Sequence, residues 1–499
     1  MQLHRKFIKV ARANKNKIAI YDNATGKELT YNKLLIGSLI LASFFKKSDE
    51  QYIGVMVPTS AGGILSILAI LMAGKTPVMI NYSTGAQQNC DRARSFIGFN
   101  TIVTSKKLLD KLEISPDDDM VLLEDLLSTI GSFKKISAVM KSKLPLKFVH
   151  NGSDDEVCIV LFTSGSEKSP KAVPLTHNNI SSNIEGISQH FDLESNDIYA
   201  SVLPLFHVFG LTTTFWLPLL TGASLIAFAN PLEYKTVVRE IKRLQATTIT
   251  ATPTFFNGYN LSSSPKDLSS IRVAVSGGDK LSPVIKESFY KKHGVELLEG
   301  YGTTETSPVI SANTSKHNKS GSIGKKLPNV EVKIIDFETD EELSVGNTGK
   351  IFVKGENVMK GYLHDIEETS LRLHKGWYDT GDMGFIDEDG FIWHKGRLKR
   401  FLKIGGEMIS LPNIEYEVEK LLPSASLCCA VEIPHPSRGA EIWLAVTGEF
   451  DEKDLKKSLG EVLPPISMPK KIIKFKELPL MGSGKVNFRE VTALCRKVR

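Results

Sequence analysis

Short β-rich runs alternate with apolar helical stretches through the first three-fifths of this chain, and that alternation admits few folds. Tyr52-Ile53-Gly54-Val55-Met56-Val57 predicts a strand, Gly62 to Met72 an apolar helix, Thr76 to Ile80 a second strand and Asn100 to Thr104 a third. Strand–helix–strand at this spacing implies parallel α/β units, because a parallel neighbour is reached only by a crossover. The pattern resumes beyond residue 151, with a helix from about Asn178 and strands near Ala200 to Leu203, Thr247 to Ala251 and Val273 to Ser276. Beyond residue 320 it gives way to short strands between Gly, Asp and Asn turns, such as Val330 to Ile335 and Gly349 to Val353, which suggests a small β subdomain. A charged helix-and-strand segment follows Arg397.

The 499 residues are too many for one core, so about two to four domains are expected. Hydrophobic content of 41% and charge of 24% are those of a soluble globular protein. The five cysteines, Cys90, Cys158, Cys428, Cys429 and Cys495, form no CxxC pair and are odd in number. A disulfide framework or zinc site is therefore not expected, and a reducing compartment is. Met1 to Val10 is basic without the apolar core of a secretory signal. It reads as a first helix docked on its own domain, with a basic amphipathic helix on anionic lipid as the alternative. Leu203 to Ala229 is apolar but broken by His207, threonines and prolines, so it reads as buried strand and helix, not a membrane span. Asp117-Asp118-Asp119 reads as a solvated loop.

Five stretches carry polar chemistry. The apolar strand Val157 to Phe162 breaks into Thr163-Ser164-Gly165-Ser166-Glu167-Lys168-Ser169-Pro170-Lys171, a loop that can offer N–H groups, hydroxyls and a cation to phosphate. It is not the GxxxxGK[ST] loop, since no Gly-Lys-Ser/Thr opens a helix after it. Glu299-Gly300-Tyr301-Gly302-Thr303-Thr304-Glu305 joins a ring to hydroxyls and a carboxylate suited to a phosphate and its Mg²⁺. Trp377 to Asp382 ends in a carboxylate able to accept from a ribose diol, and Gly396-Arg397-Leu398-Lys399-Arg400 adds cations. Pro479 to Lys485 sets a lysine in a glycine-rich loop. Singly, each is more often a surface turn than a site.

In this order and spacing, TSGSxxxPK, GYGTTE, YDTGD, GR…KIGGE and GSGK resemble the adenylate-forming superfamily over essentially the whole chain. Asn81 to Gly85, Leu161 to Pro170, Leu203 to Thr212 and Lys399 to Leu411 are similar to the acyl-ACP synthetase half of the bacterial 2-acylglycerophosphoethanolamine acyltransferase/acyl-ACP synthetase. The acyltransferase half that normally precedes it has no room ahead of Met1, so a free-standing synthetase is expected.

The resemblance implies an α/β fold with a large N-terminal domain, 1–398, of α/β subdomains plus a small β subdomain. A small mobile α+β C-terminal domain, 399–499, would follow. It implies that a fatty acid attacks ATP to give an acyl-adenylate, which passes to the phosphopantetheine thiol of acyl carrier protein, with CoA as the alternative acceptor. By the match, Lys485 supplies charge at the α-phosphate, Thr304 contacts it, and Glu305 holds Mg²⁺. Thr163, Ser164, Gly165, Ser166 and Glu167, with Lys171, cradle pyrophosphate. Tyr301 stacks on adenine beside Gly277 and Gly278, within the nucleotide set Glu299, Gly300, Gly302 and Thr303. Asp382 binds the ribose with Arg397 beside it, His207 sits at the mouth of the acyl pocket, and Lys399 is the hinge. Lys168 and Ala172 depart from the superfamily loop, which usually has Gly or Ser at the first and Gly at the second.

Net charge is +6, with Lys470, Lys471, Lys474, Lys476, Lys485, Arg489, Arg496, Lys497 and Arg499 gathered near the C-terminus. That patch suits an acidic carrier protein, or equally the 3′-phosphate of CoA. No motif accompanies it that would make nucleic acid a partner. A cytoplasmic enzyme is expected, either free or peripheral at the inner face of the membrane. An amino-acid substrate is disfavoured, because Pro204 to Thr214 holds no carboxylate for an ammonium group. Nothing demands the oxygen chemistry of a luciferase.

Overall fold

The computed structural model describes the chain except residues 164–169, 405–406, 424–425, 436–438, 481–485 and 499. Two large sheets organise the first part. Six strands order as Met120–Leu122, Ile102–Thr104, Tyr52–Val55, Thr76–Met79, Val157–Phe162 and Ala172–Thr176, all parallel but the last. The second sheet has nine strands, with the parallel set Ile18–Asp22, Ser224–Ala227, Ile198–Ser201, Thr248–Ala251, Val273–Ser276 and Leu297–Gly302 at its centre. The helices expected between strands form, including Ala61–Met72 and His177–His190. The second is held at its start by a reciprocal cap, Thr176 Oγ1 accepting from Asn179 N and Asn179 Oδ1 from Thr176 N.

Glu331–Ile335, Gly349–Lys354, Trp377–Ile386 and Ile392–Arg397 build the small antiparallel sheet expected after residue 320. One continuous core joins all three sheets, with Ile53, Val55, Tyr199, Leu225, Ile351 and Val353 among its members. From Leu402 onward the cores are separate. Leu402, Ile414, Val418, Leu444 and Leu459 form one, while Val431, Trp443, Val491 and Cys495 form another. The fold is thus mixed α/β, with a large N-terminal body and a small C-terminal one.

The first helix, Leu3–Ala13, buries Leu3, His4, Phe7, Ile8 and Ala11 within the large body. Leu3 N donates to His177 Nδ1 at 3.2 Å and His4 Nε2 meets His150 O at 3.0 Å. Its apolar face is therefore committed to the core, and the lipid-facing alternative for this helix does not hold. Leu203 to Ala229 is buried as expected, through Leu211–Trp216, Leu217–Thr221 and the strand Ser224–Ala227. Asp117 does more than sit in solvent. It takes both Arg94 guanidinium nitrogens at 2.7 and 3.0 Å, which ties the loop to the helix Ala86–Ile97. Among the described residues no helix is long and apolar enough to cross a membrane.

Candidate active site

The site lies where parallel strands of the nine-stranded sheet end, the usual place for a ligand in an open α/β sheet. Thr248–Ala251, Val273–Ser276 and Leu297–Gly302 deliver Thr252, Gly277 and the Thr303-Thr304-Glu305 turn to the rim of one cleft. The cleft holds about 1120 Å³ and is closed on its other side by residues of the small body, including Glu415, Tyr416, Val486 and Arg489.

Every described residue singled out from the sequence lines this cleft. They are Thr163, Lys171, His207, Gly277, Gly278, Glu299, Gly300, Tyr301, Gly302, Thr303, Thr304, Glu305, Asp382, Arg397 and Lys399. Ser164, Gly165, Ser166, Glu167 and Lys485 lie outside the described residues, as does the departure at Lys168.

The candidate phosphate loop is the connection of a hairpin, since Phe162 pairs with Ala172 in an antiparallel ladder. Its base is pinched by Thr163 N on Lys171 O at 2.9 Å and by Lys171 N on Thr163 Oγ1 at 3.2 Å. The Lys171 ammonium is ion-paired with Glu368, which also takes Arg372 Nε at 3.0 Å, and it lies 5.2 Å from the centre of the Tyr362 ring. Ala172, the second departure, is a buried strand residue.

Across the cleft, Thr304–Thr306 is a single tight turn capped by Thr303, whose N–H donates to Thr306 Oγ1 at 3.2 Å. Gly302 must be glycine here, because a Cβ would stand 2.0 Å from Pro308 O. Glu305 is buried, and Tyr362 Oη donates to its Oε1 at 2.8 Å. Among the described residues no group of three or more His, Cys, Asp or Glu could cage a metal ion. Mg²⁺ on a nucleotide needs only one or two carboxylates, since phosphate oxygens and water supply the rest, and Glu305 fits that demand. Glu299 is buried, and burial raises its carboxyl above the usual range despite Gly321 N at 3.1 Å and the nearby Lys286 and Lys280.

Asp382 is buried to 3% exposure at the centre of a polar cluster. Gly381, at φ +72°, makes the turn that aims it inward. Tyr301 Oη donates to its Oδ2 at 2.5 Å, while His394 Nε2 and Arg397 Nε approach Oδ1 at 3.7 and 3.4 Å. Burial alone would push the carboxyl up, but His394, Arg397 and the Tyr301 hydroxyl together bring it down to about 2. Oδ1 has no hydrogen-bond donor among the described residues. The Tyr301 ring sits 5.3 Å from that of His394 at 35°. His394 was not expected from the sequence, where it is a lone histidine in a strand. Only the pairing of Trp377–Ile386 with Ile392–Arg397 brings it against Asp382.

The same cavity has an apolar portion of wall beyond Gly277. Val273, Val275 and Tyr199 from the sheet and Ile187, Phe191 and Leu217 line it, together with His207, Phe255 and Ser276. Lys399 lies in the single turn Leu398–Arg400 that joins the two bodies. A second bridge is Lys280, whose ammonium stands 3.4 Å from the centre of the Tyr416 ring in the small body.

The AMP-binding enzyme family matches residues 7–363. The long-chain-fatty-acid–CoA ligase of Bacillus subtilis (strain 168) is 29% identical, over 95% of this chain and 90% of its own length. A probable CoA ligase of Humulus lupulus, CCL5, is 28% identical over 97% of this chain and 91% of its own. Among solved structures, ATP-bound MatB from Rhodopseudomonas palustris shares the fold at a TM-score of 0.85 and 23% identity, covering 100% of both chains. The large and small bodies, the cleft between them and the family match over most of the large body together place this chain in the AMP-binding enzyme family, within the adenylate-forming superfamily.

Proposed function

We propose that the chain is an AMP-forming acid–thiol ligase acting on fatty acids. A carboxylate oxygen attacks the α-phosphorus of ATP, pyrophosphate leaves and an acyl-adenylate forms. A phosphopantetheine thiol then attacks the acyl carbonyl, AMP leaves and the thioester forms. The observation that carries this reading is one cavity lined both by Thr304, Glu305 and Asp382 and by the apolar side chains of Ile187, Phe191, Leu217, Val273 and Val275.

The first step drives an anion against a polyanion, so positive charge at the α-phosphate must lower the barrier. We assign that charge to Lys485, with Thr304 contacting the same phosphate and the Thr163-to-Glu167 loop with Lys171 receiving pyrophosphate. Glu305 would hold Mg²⁺, which when bound neutralises charge across the triphosphate. Asp382, beside Arg397, fits the ribose because Oδ1 is a buried acceptor lacking a donor among the described residues. The ring of Tyr301 would face adenine beside Gly277 and Gly278, while its hydroxyl stays on Asp382. His207 would border the reacting carboxyl. The boundary between domains is set at Lys399, and rotation there would withdraw Lys485 after the first step and admit the thiol.

The acceptor assigned is CoA, because the relatives matched over nearly the whole chain are CoA ligases. Acyl carrier protein is the second reading. It is favoured by the exposed cations Lys470, Lys474, Lys476, Arg489, Arg496 and Lys497 of the small body. Val273 and Gly277 both line the cavity and lie about 13 Å apart along their strand at 3.3 Å per residue. An acyl pocket of that depth would hold an extended chain of roughly ten carbon–carbon bonds, because the zigzag advances less per bond than its length of about 1.5 Å. Purified protein with ATP, Mg²⁺ and a fatty-acid series, offered CoA and holo carrier protein separately, tests all three points. Absence of pyrophosphate exchange with every acid would end the ligase reading.

A peripheral membrane contact is inferred at the helix Ser132–Lys141. It turns Ile136, Val139 and Met140 to solvent, the first and last at 61% and 66% exposure, and Leu144 and Phe148 continue the apolar surface. Exposed Lys46, Lys47, Lys143 and Lys147 lie beside it, Lys46 donating to Phe148 O at 2.6 Å. An outward apolar stripe flanked by lysines suits an anionic lipid surface, where free fatty acids partition.

A further inference from the structure

A second cation faces the cleft beside Lys171. Arg372 ends the helix Ile366–Arg372, which buries none of its residues. Glu368, one turn earlier, takes both Arg372 Nε at 3.0 Å and the Lys171 ammonium. Burial would raise this carboxyl, but the hydrogen bonds from Lys171 and Arg372 hold it below the usual carboxylate range. It therefore stays charged at neutral pH and keeps both partners. The other side of the guanidinium meets the turn before Asp382. A Cβ on Gly381 would stand 3.0 Å from Arg372 Nη1, and Asp379 Oδ2 lies 3.6 Å from that nitrogen, too far for a hydrogen bond. Asp379 Oδ1 is engaged by Gly381 N at 2.8 Å. A guanidinium carries five N–H donors, and among the described residues Arg372 commits only the one on Nε. Its side chain is 22% exposed and lines the cleft, as does Lys171. Arg94 and Arg272, at 16% and 34%, engage both of their Nη nitrogens. An open planar fork between the hairpin base at Lys171 and the Asp382 turn is matched to phosphate oxygens.

We propose that Arg372 binds the pyrophosphate end of the nucleotide, its Nη groups donating to a phosphate oxygen beside Lys171 while Nε stays anchored on Glu368. The inference rests on the acid-activating reading above and adds a residue to its phosphate site. AMP lacks the two outer phosphates, so its binding does not draw on Arg372. Pyrophosphate consists of nothing else, so its binding does.

The test is calorimetric titration of the full chain with inorganic pyrophosphate and, separately, with AMP, both in the presence of Mg²⁺. It is run for wild type, Arg372→Met, Arg372→Lys and Lys360→Met. Lys360 is an exposed lysine paired with Asp155 at 3.0 Å, and its variant controls for the loss of one positive charge. Arg372→Met should weaken pyrophosphate binding by roughly 10–100-fold, the loss expected for one charge-assisted contact, and leave AMP within about twofold. Arg372→Lys should recover part of the loss, and Lys360→Met should change neither ligand. AMP binding by the same preparation reports that the variant is folded. Unchanged pyrophosphate affinity in Arg372→Met overturns the proposal. So does an equal loss for AMP, which would make Arg372 a brace for the Asp382 turn. Wild type that binds neither ligand and shows no acid-dependent ATP–pyrophosphate exchange overturns the ligase reading itself, and this inference with it.

Discussion

The Tyr301 phenol and the Asp382 carboxylate share a hydrogen bond of 2.5 Å, formed between a strand of the nine-stranded sheet and one of the small antiparallel sheet. It couples two motifs that lie far apart in sequence. Tyr301→Phe removes the donor on Oδ2 and leaves a buried carboxylate with His394 and Arg397 only at 3.4 Å or more. Its stability should fall by about 1–3 kcal/mol. The Asp382 titration should move up from about 2, as followed by carboxyl NMR or infrared difference spectra. An unchanged titration would place the phenol outside the pair that sets it.

The buried histidines at the first helix predict acid sensitivity. The rings of His4 and His177 stand 5.5 Å apart. Burial holds both down, His4 to about 4 against its hydrogen bond to His150 O and with help from the charges of His150 and Arg5, and His177 to about 3 with help from the charges of His4 and His150. A depressed folded pKa means stability that is complete above the unfolded value near 6.5 and is lost as pH falls toward 4 and 3. Unfolding should therefore take up as many as two extra protons in this window, each worth about 1.4 kcal/mol per pH unit. Urea midpoints from pH 7 to 4 measure it, and the double variant His4→Gln, His177→Asn should flatten the slope.

Lys485→Ala should reduce adenylation by roughly 10²–10³-fold, the usual loss when one charge-stabilising group is removed. Thioester formation from premade acyl-adenylate should be largely spared. Equal damage to the two half-reactions, measured separately, would refute the assignment.

Proline at position 399 should restrain the turn Leu398–Arg400 and slow thiol transfer more than adenylation. Pre-steady-state measurement of each half-reaction decides the point, and unchanged transfer would count against a hinge there.

Ile136→Asp with Met140→Asp should weaken sedimentation with phosphatidylglycerol vesicles by at least tenfold, because each charge removes apolar contact and repels the anionic surface. Exchange activity in detergent-free solution should persist. Undiminished sedimentation, or a change in oligomeric state instead, would assign this face another occupant.

Much of the site could be read from sequence because the nucleotide end is made of chain-local turns. Gly302 is dictated by its closeness to Pro308 O, and Gly381 by its left-handed turn, so the motif and its geometry are one thing. The alternation of strands and helices likewise reported the parallel sheets. What escaped depends on pairing between distant segments. His394 reaches Asp382 only through strand register, and Tyr362 reaches Glu305 across 57 residues. Ala172–Thr176, carrying Pro174, showed no strand pattern, yet it forms the sheet edge that turns the phosphate loop into a hairpin. Lys171 was legible as a cation, but not its engagement with Glu368, which lies on a helix of the β-rich region.

The separateness of the two sets of cores would set the energetics of the rotation proposed at Lys399. Among the described residues the buried cores on the two sides of the joint share no member, so the rotation proposed at Lys399 would forfeit mainly ring and ion contacts, such as Lys280 on Tyr416. Those contacts weaken with added salt, whereas apolar burial does not. The balance between the two proposed poses should thus be tuned by ionic strength and by the charges of whatever occupies the gap, rather than by temperature.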